Sequence, residues 1–301
     1  MMELTFLGTS AMIPTKDRNH TAMMLLYEGE AMLFDCGEGT QRQIRLAKIS
    51  PGKITKMFIT HWHGDHVLGI PGLVQTLGAS EYNKTLRIYG PKGTQAFMEK
   101  ILKAFLCEEK ISMQIKEVEE GIADETPEYT IKAMKLMHTA PTLAYCFQEK
   151  DKLKLNMEYL SKFGLKKHPI LKELQQGKNI KWEGKAIKAK DATITKKGRK
   201  LSIVLDTGMN AQLEDRLIEF INDSDVLVME STFGEESADK AKEYTHLTAA
   251  QAAKIAKKAK AKRLFLTHFS QRYSNVEPLK EQAAKIFKNA ECARDLQKVQ
   301  M

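Results

Sequence analysis

The sequence predicts an α/β fold built from two similar halves, packed sheet on sheet with helices outside. Short β-prone runs alternate with helical stretches over most of the 301 residues. A strand ending Leu33-Phe34-Asp35-Cys36-Gly37 is followed by one ending Phe58-Ile59-Thr60-His61. In the second half, Val204-Leu205-Asp206-Thr207-Gly208 is likewise followed by Phe265-Leu266-Thr267-His268. Each half reads strand, Asp-x-Gly, helix, strand, Thr-His, and two such layers stacked together bring their strand ends to one edge. With 43% hydrophobic and 28% charged residues, the composition is that of a globular protein long enough to bury a substantial core.

The elements follow in order. Met2 to Leu7 is an apolar strand closed by Gly8-Thr9-Ser10. Thr21–Tyr27 and Ala31–Phe34 form a hairpin around Glu28-Gly29-Glu30. A helix over 41–47 precedes the strand Ile54–Thr60, and another helix covers 73–77. Leu86–Tyr89 is a strand, and Thr94–Leu106 an amphipathic helix. Strands at 129–136 and 142–147 bracket Met137-His138-Thr139-Ala140-Pro141. Two short helices, 157–163 and 169–175, sit in a lysine-rich segment whose sparse apolar positions suggest a projecting arm rather than a core layer. Buried strands return at 201–205, 226–229 and 264–266, with helices at 212–222, 247–260 and 279–288. The alanine- and lysine-rich helix reads as a solvated outer one.

Chemistry is concentrated in Phe-Ile-Thr-His-Trp-His-Gly-Asp-His, residues 58–66, where three of the eight histidines and a carboxylate lie within six positions. In extended backbone His61 and His63 project to one side. Gly64 then permits a sharp turn that swings Asp65 and His66 toward a neighbouring point. Imidazole nitrogen and carboxylate oxygen are the donor set for Zn²⁺ and related divalent ions. The fold argument adds His138, Asp206 and His268 at the same edge. Taken alone, His138 reads more often as a hydrogen-bonded loop histidine, and its position at a strand end before Thr-Ala-Pro raises the ligand reading above that. Trp62 and His20 read as structural residues.

Charge is unevenly placed. The chain carries +9 overall, yet residues 150–200 hold 16 Lys and Arg against 5 Asp and Glu, a net of +11, and the remainder is −2. Such a block suits a polyanion, whose counterions are released as phosphates are neutralised. The alternative is a solvated lysine-rich surface. Four scattered cysteines (Cys36, Cys107, Cys146, Cys292) read as free thiols in a reducing cytosol. No run approaches the roughly 20 apolar residues of a membrane span, and the N-terminus lacks a secretory pattern, so a cytoplasmic location is expected.

His61-x-His63-x-Asp65-His66 resembles the signature of the metallo-β-lactamase superfamily of binuclear zinc hydrolases. Phe6-Leu7-Gly8-Thr9-Ser10, Pro14-Thr15-Lys16-Asp17-Arg18-Asn19 and Asp35-Cys36-Gly37-Glu38-Gly39-Thr40-Gln41 are similar to the N-terminal motifs of the tRNase Z family. Glu230-Ser231-Thr232 and His246-Leu247-Thr248 resemble that family's Glu and His motifs. The basic segment at 150–196 resembles its tRNA-binding arm, with Lys167-His168-Pro169 where Gly-Pro is usual and Ser231 where Ala is common.

The resemblance implies an αβ/βα four-layer sandwich with two central mixed sheets, residues 1–301 forming one domain with the arm inserted. It implies two zinc ions (Mn²⁺ or Fe²⁺ being alternatives), His61, His63 and His138 on one and Asp65, His66 and His268 on the other, with Asp206 bridging. It implies hydrolytic removal of the 3′ trailer of precursor tRNA, leaving a 3′ hydroxyl. A hydroxide between the metals attacks, Asp65 accepts its proton, and His246 steered by Glu230 assists the leaving oxygen. Without the family, Glu230 and His246 read equally as a structural pair. Lys16, Arg18, Lys166, Lys167 and Arg272 are phosphate-contact candidates. A homodimer is implied, with no membrane and no nucleotide cofactor. The rivals are a zinc phosphodiesterase acting on small molecules and a non-catalytic RNA-binding relative.

Overall fold

The computed structural model describes residues 2–105 and 111–301. Strands β1 (Met2–Gly8), β2 (Ala22–Tyr27), β3 (Glu30–Phe34), β4 (Ile54–Phe58), β5 (Thr85–Gly90), β6 (Ser112–Glu117) and the C-terminal β18 (Lys298–Gln300) make a seven-stranded mixed sheet, order β18-β1-β2-β3-β4-β5-β6. Antiparallel pairing runs from β18 to β3, and parallel pairing from β3 to β6. The hairpin between β2 and β3 turns on Glu28 and Gly29, both at positive φ (48° and 92°). That conformation fits the strands' own twist. A second seven-stranded sheet contains β7 (Gly121–Glu125), β8 (Tyr129–Lys135), β9 (Leu143–Glu149), β14 (Lys200–Val204), β15 (Val226–Glu230), β16 (Leu264–Thr267) and β17 (Ala290–Cys292). Its order is β17-β16-β15-β14-β9-β8-β7, with β14 to β17 parallel.

Alternation along the strands builds the layers. Phe6, Phe34, Phe58, Tyr145 and Phe265 point between the sheets, and rings from the two sheets meet there. Phe6 lies 5.6 Å from Phe265, and Phe58 5.3 Å from Tyr145. Their neighbours Leu33, Met57, Leu264 and Leu266 face outward into two further cores. One core is covered by helices Thr40–Leu46, Ile70–Ala79 and Thr94–Lys103, the other by Ala211–Ile221, Ala249–Lys258 and Glu277–Ala284. This is the expected four-layer arrangement. Helix–sheet–sheet–helix stacking is what two sheets with apolar inner and outer faces require.

The structure departs from sequence expectation in several places. Helix Ala249–Lys258 is no merely solvated helix. Its alanine face, from Ala249 to Ala256, is buried while its lysines stay outside. Thr248 caps it with Gln251 in a reciprocal capping box, worth about 1 kcal/mol. Gly64 is no sharp turn: it opens the single-turn helix Gly64–Val67. Helix Thr94–Lys103 falls short of Leu106, which lies outside the described residues with Cys107. The other three cysteines are buried free thiols, and burial lifts Cys36 to about 12. No helix among the described residues is long and apolar enough to cross a membrane.

The chain divides into two compact units. One takes the described residues up to Glu125, Ile131–Phe147 and Lys200–Met301; the other takes Thr126–Thr130 and Gln148–Arg199. The second unit was expected to have no core layer, and it has one. Leu160, Leu165, Leu171, Leu174, Ile180 and Ile187 are buried together, with Tyr159, Phe163 and Trp182 packed on them. Strands β10 (Lys152–Leu155) and β13 (Thr193–Lys196) pair antiparallel, as do β11 (Ile180–Trp182) and β12 (Lys185–Ile187). The apolar positions are few because this core is small; the lysines cover its surface.

Candidate metal centre and active site

The seven residues anticipated as ligands leave the C-terminal ends of strands at one edge of the two sheets, where open α/β sheets bind ligands. His61 and His63 follow β4, His138 follows β8, Asp206 follows β14 and His268 follows β16. Asp65 and His66 stand on the helical turn after β4. Asp206 and His268 leave their strands at positive φ (36° and 60°), as does Asp35 after β3 (54°). Asp and His tolerate that region better than most residues, and such backbone is retained where side chains must be aimed.

The anticipated donor atoms gather in two groups, and a third, overlapping one joins Asp206 and His268 to His246. His61, His63, His138 and Asp206 form one, and Asp65, His66 and His268 the other, each with ligand atoms within 4.8 Å of one another. Asp206 touches both. Its Oδ2 lies 3.6 Å from His61 Nε2 and 3.8 Å from His138 Nε2, while its Oδ1 lies 3.2 Å from His268 Nε2 and 3.5 Å from His66 Nε2. His61 Nε2 and Asp206 Oδ1 are buried without a hydrogen-bond partner. Buried polar atoms left so cost free energy unless something binds them, and a divalent cation in each group would answer them.

Two buried carboxylates fix which ring nitrogen faces inward. Asp35 accepts the Thr60 hydroxyl at 2.8 Å and lies 2.7 Å from His66 Nδ1. His66 Nδ1 therefore carries the proton. The Thr60 oxygen, its own proton spent on Asp35, accepts from His61 Nδ1 at 3.0 Å. Glu230 repeats the device: it accepts the Thr232 hydroxyl at 2.6 Å, and Thr232 Oγ1 lies 3.0 Å from His268 Nδ1. The Thr245 carbonyl, 3.1 Å from His138 Nδ1, does the same for that ring. His61, His66, His138 and His268 thus all turn Nε2 toward the shared site. This second layer of hydrogen bonds is characteristic of metal-ligating histidine.

Electrostatics suit a cation. Burial, joined by the neighbouring rings, keeps His61 well below the ordinary imidazole value, and burial lowers His63 and His138 too. Neutral rings are the form that ligates. Burial also works against charge on His66, yet Asp206, Asp65 and Asp35 together raise it to about 10. Asp65 is held far below the carboxylate range despite burial, by His66 and His268 and by the Met12 N–H donating to its Oδ2 at 2.8 Å. A cluster that binds a proton so strongly offers the same negative potential to a metal ion.

Glu230 and His246 are brought together beside this centre, with Nδ1 of His246 3.0 Å from Glu230 Oε1. Burial opposes the imidazolium, but Glu230 raises His246 to about 9. His246 and the candidate ligands Asp65, His138, Asp206 and His268 line an open cleft of about 400 Å³. Arg272 lines it as well, its guanidinium 5.0 Å over the Phe233 ring. Lys16 is exposed, and Arg18 donates to the carbonyls of Ser270 and Tyr273, tying its loop to theirs. Lys166 and Lys167 are exposed in the second unit. His20 is buried with Nε2 3.1 Å from the Met12 carbonyl, and Trp62 donates to Thr94 and packs on Phe97, both structural as expected.

Sequence reasoning gave Asp35, Thr60 and Thr232 no role of their own, although each lies in a motif read there: Asp35 opens Asp-x-Gly, Thr60 precedes His61 and Thr232 closes Glu230-Ser231-Thr232. Gly37 supplies the reason for this Asp-x-Gly: a Cβ there would lie 2.4 Å from the Asp65 carbonyl oxygen, so only glycine lets the segment after β3 approach the helical turn after β4.

The family model described as anti-Pycsar protein Apyc1 matches residues 2–162, a stretch that includes the 61–66 motif and His138 and ends before Asp206, His246 and His268. Over the full length, the chain is 40% identical to ribonuclease Z of Methanothermobacter thermautotrophicus across 302 residues, covering 100% of this chain and 97% of that one. It is 40% identical to ribonuclease Z of Bacillus subtilis, with 99% and 98% covered. The crystal structure of the short form of human tRNase Z superposes with a TM-score of 0.74 at 28% identity, covering 99% of each chain. The chain therefore belongs to the ribonuclease Z family, metal-dependent endoribonucleases of the metallo-β-lactamase fold.

Proposed function

We propose that this protein removes the 3′ trailer from precursor tRNA by hydrolysis, leaving a 3′ hydroxyl on the tRNA. The observation that carries the reading is the sharing of Asp206 between two donor groups, with His246 beside them on the same cleft. His61, His63 and His138 would hold one divalent ion, and Asp65, His66 and His268 the other, with Asp206 serving both. Zinc is the ion best matched to this nitrogen-rich set, Mn²⁺ and Fe²⁺ being the alternatives. When bound, the ions supply Lewis acidity toward the phosphate and an activated water.

The chain's own residues do the rest. Asp65, held ionised, accepts a hydrogen bond from the attacking water, orients it and takes its proton. His246, kept protonated by Glu230, donates from Nε2 to the departing ribose oxygen. Phosphates flanking the cut are met by Lys16 and Arg272, with Arg18 holding the loop that carries Lys16. Residues 150–196 form an inserted basic arm that grips the tRNA through Lys166, Lys167 and their neighbours. The working form is a cytoplasmic homodimer.

The rival reading, a phosphodiesterase for small molecules, is separated by one comparison. Residues 150–196 are replaced with a short linker, which the β10–β13 pairing of Lys152 with Lys196 makes possible. Cleavage of precursor tRNA then collapses while a small phosphodiester is still hydrolysed. Equal loss on both substrates would reject the arm's role, and no cleavage of precursor tRNA by the intact protein would reject the reading itself.

A further inference from the structure

Apolar side chains at the mouth of the cleft have no part in metal binding or proton transfer. Met12 is 75% exposed, Ile13 45% and Tyr244 52%, and all three line the same cleft as Asp65 and His246. Large side chains left so open beside a polar centre indicate contact with a ligand rather than with the core.

They are also held in place. Met12 has left-handed backbone (φ 54°), a strained state for an unbranched non-glycine residue. Both ends of its peptide are pinned, the N–H on Asp65 Oδ2 at 2.8 Å and the carbonyl 3.1 Å from His20 Nε2. Tyr244 is backed by Phe233, ring centroids 6.4 Å apart with planes 21° from parallel, and the Arg272 guanidinium covers Phe233. Met12 and Ile13 therefore present a thioether and a β-branched side chain to the cleft, and Tyr244 presents a supported aromatic ring.

We propose that this mouth is a slot for one unpaired nucleobase adjoining the scissile phosphate, stacked on Tyr244 and covered by Met12 and Ile13. The inference rests on the ribonuclease reading above and deepens it. Bases of single-stranded RNA stack on aromatic and guanidinium planes irrespective of their identity, which suits an enzyme that must cut after many different sequences. Methionine shapes itself to whichever base arrives. Because the Met12 amide also holds Asp65, a base seated in the slot presses on the residue that orients the attacking water.

The test uses full-length protein and precursor tRNAs carrying an abasic nucleotide either just 5′ or just 3′ of the cleavage site. One of the two abasic substrates loses on the order of 10-fold in kcat/KM, and Tyr244→Ala on the natural substrate loses a similar factor. On that abasic substrate Tyr244→Ala costs nothing further, and Tyr244→Phe behaves as wild type on both. A merely structural tyrosine would lower both substrates alike. As a readout free of catalysis, 2-aminopurine at the sensitive position is quenched on binding to metal-stripped protein, and Tyr244→Ala abolishes the quenching. Cleavage indifferent to both abasic sites would overturn the slot while leaving the ribonuclease reading intact. Failure to cut any precursor would overturn that reading instead.

Discussion

Oε1 of Glu230 lies 3.0 Å from Nδ1 of His246, and the carboxylate is completely buried. An ionised group so placed is stable only through its partners, here His246, Thr232 and the Thr207 amide. Replacing His246 by Ala is expected to lower kcat by about 10² to 10⁴ while bound metal and KM for precursor tRNA stay near wild type. Single-turnover cleavage and elemental analysis on the same preparation check this. A pair that served only the fold would lower melting temperature and leave the rate per folded molecule unchanged.

The same pair sets a pH dependence. The folded-state value of His246 is raised to about 9, so its proton is present at neutral pH and is lost as pH rises through that value. Activity falls on that alkaline limb. Glu230→Gln removes the charge that raises His246, so the limb moves down toward the ordinary imidazole range near 6.5. A pH–rate profile whose alkaline limb is the same in both proteins would assign it to another group.

Asp35 reaches no cleft surface, yet it orients His66 directly and His61 through Thr60. Asp35→Asn is expected to weaken metal binding about 10- to 100-fold, the usual cost of losing a carboxylate behind a ligating histidine. Competition against a chromogenic chelator reads this without reference to turnover. Thr60→Val and Thr232→Val should each weaken one of the two sites and spare the other, giving titrations with one tight and one loose ion.

The basic segment predicts a steep dependence on salt. With a net of +11 over residues 150–200, log KM for precursor tRNA rises with log salt, and each phosphate contact removed lowers the slope by about 0.7–0.9. Lys166→Ala with Lys167→Ala reduces the slope while kcat holds. An unchanged slope would place the polyanion elsewhere on the surface.

Much of this site is legible in the residues themselves. His61, His63, Asp65 and His66 announce a metal because four donors crowd six positions, and the repeated Asp-x-Gly with Thr-His places Asp206 and His268 beside them. The repeat misleads at one point. Asp206 reaches the cleft, whereas its counterpart Asp35 is wholly buried and spends its oxygens on Thr60 and His66. The two halves are not equivalent, since β3 and β4 are neighbours while β15 stands between β14 and β16. Strands β6, β7, β10 to β13, β17 and β18 escape notice because they are half-exposed or only three to six residues long, with little apolar periodicity to read. The slot residues escape for another reason: an exposed Met12 or Tyr244 has no sequence signature, and only the pinned backbone and shared cleft reveal it.

The most direct measurement strips the purified protein of metal, reloads it with Zn²⁺ and maps the new RNA end made from a trailer-bearing precursor tRNA. The account predicts one cut just beyond the mature tRNA, a 3′ hydroxyl there, and activity that appears only as the ions return and is absent in Asp206→Ala. Undiminished cutting by the stripped protein, or a phosphate left on the tRNA 3′ end, would contradict it.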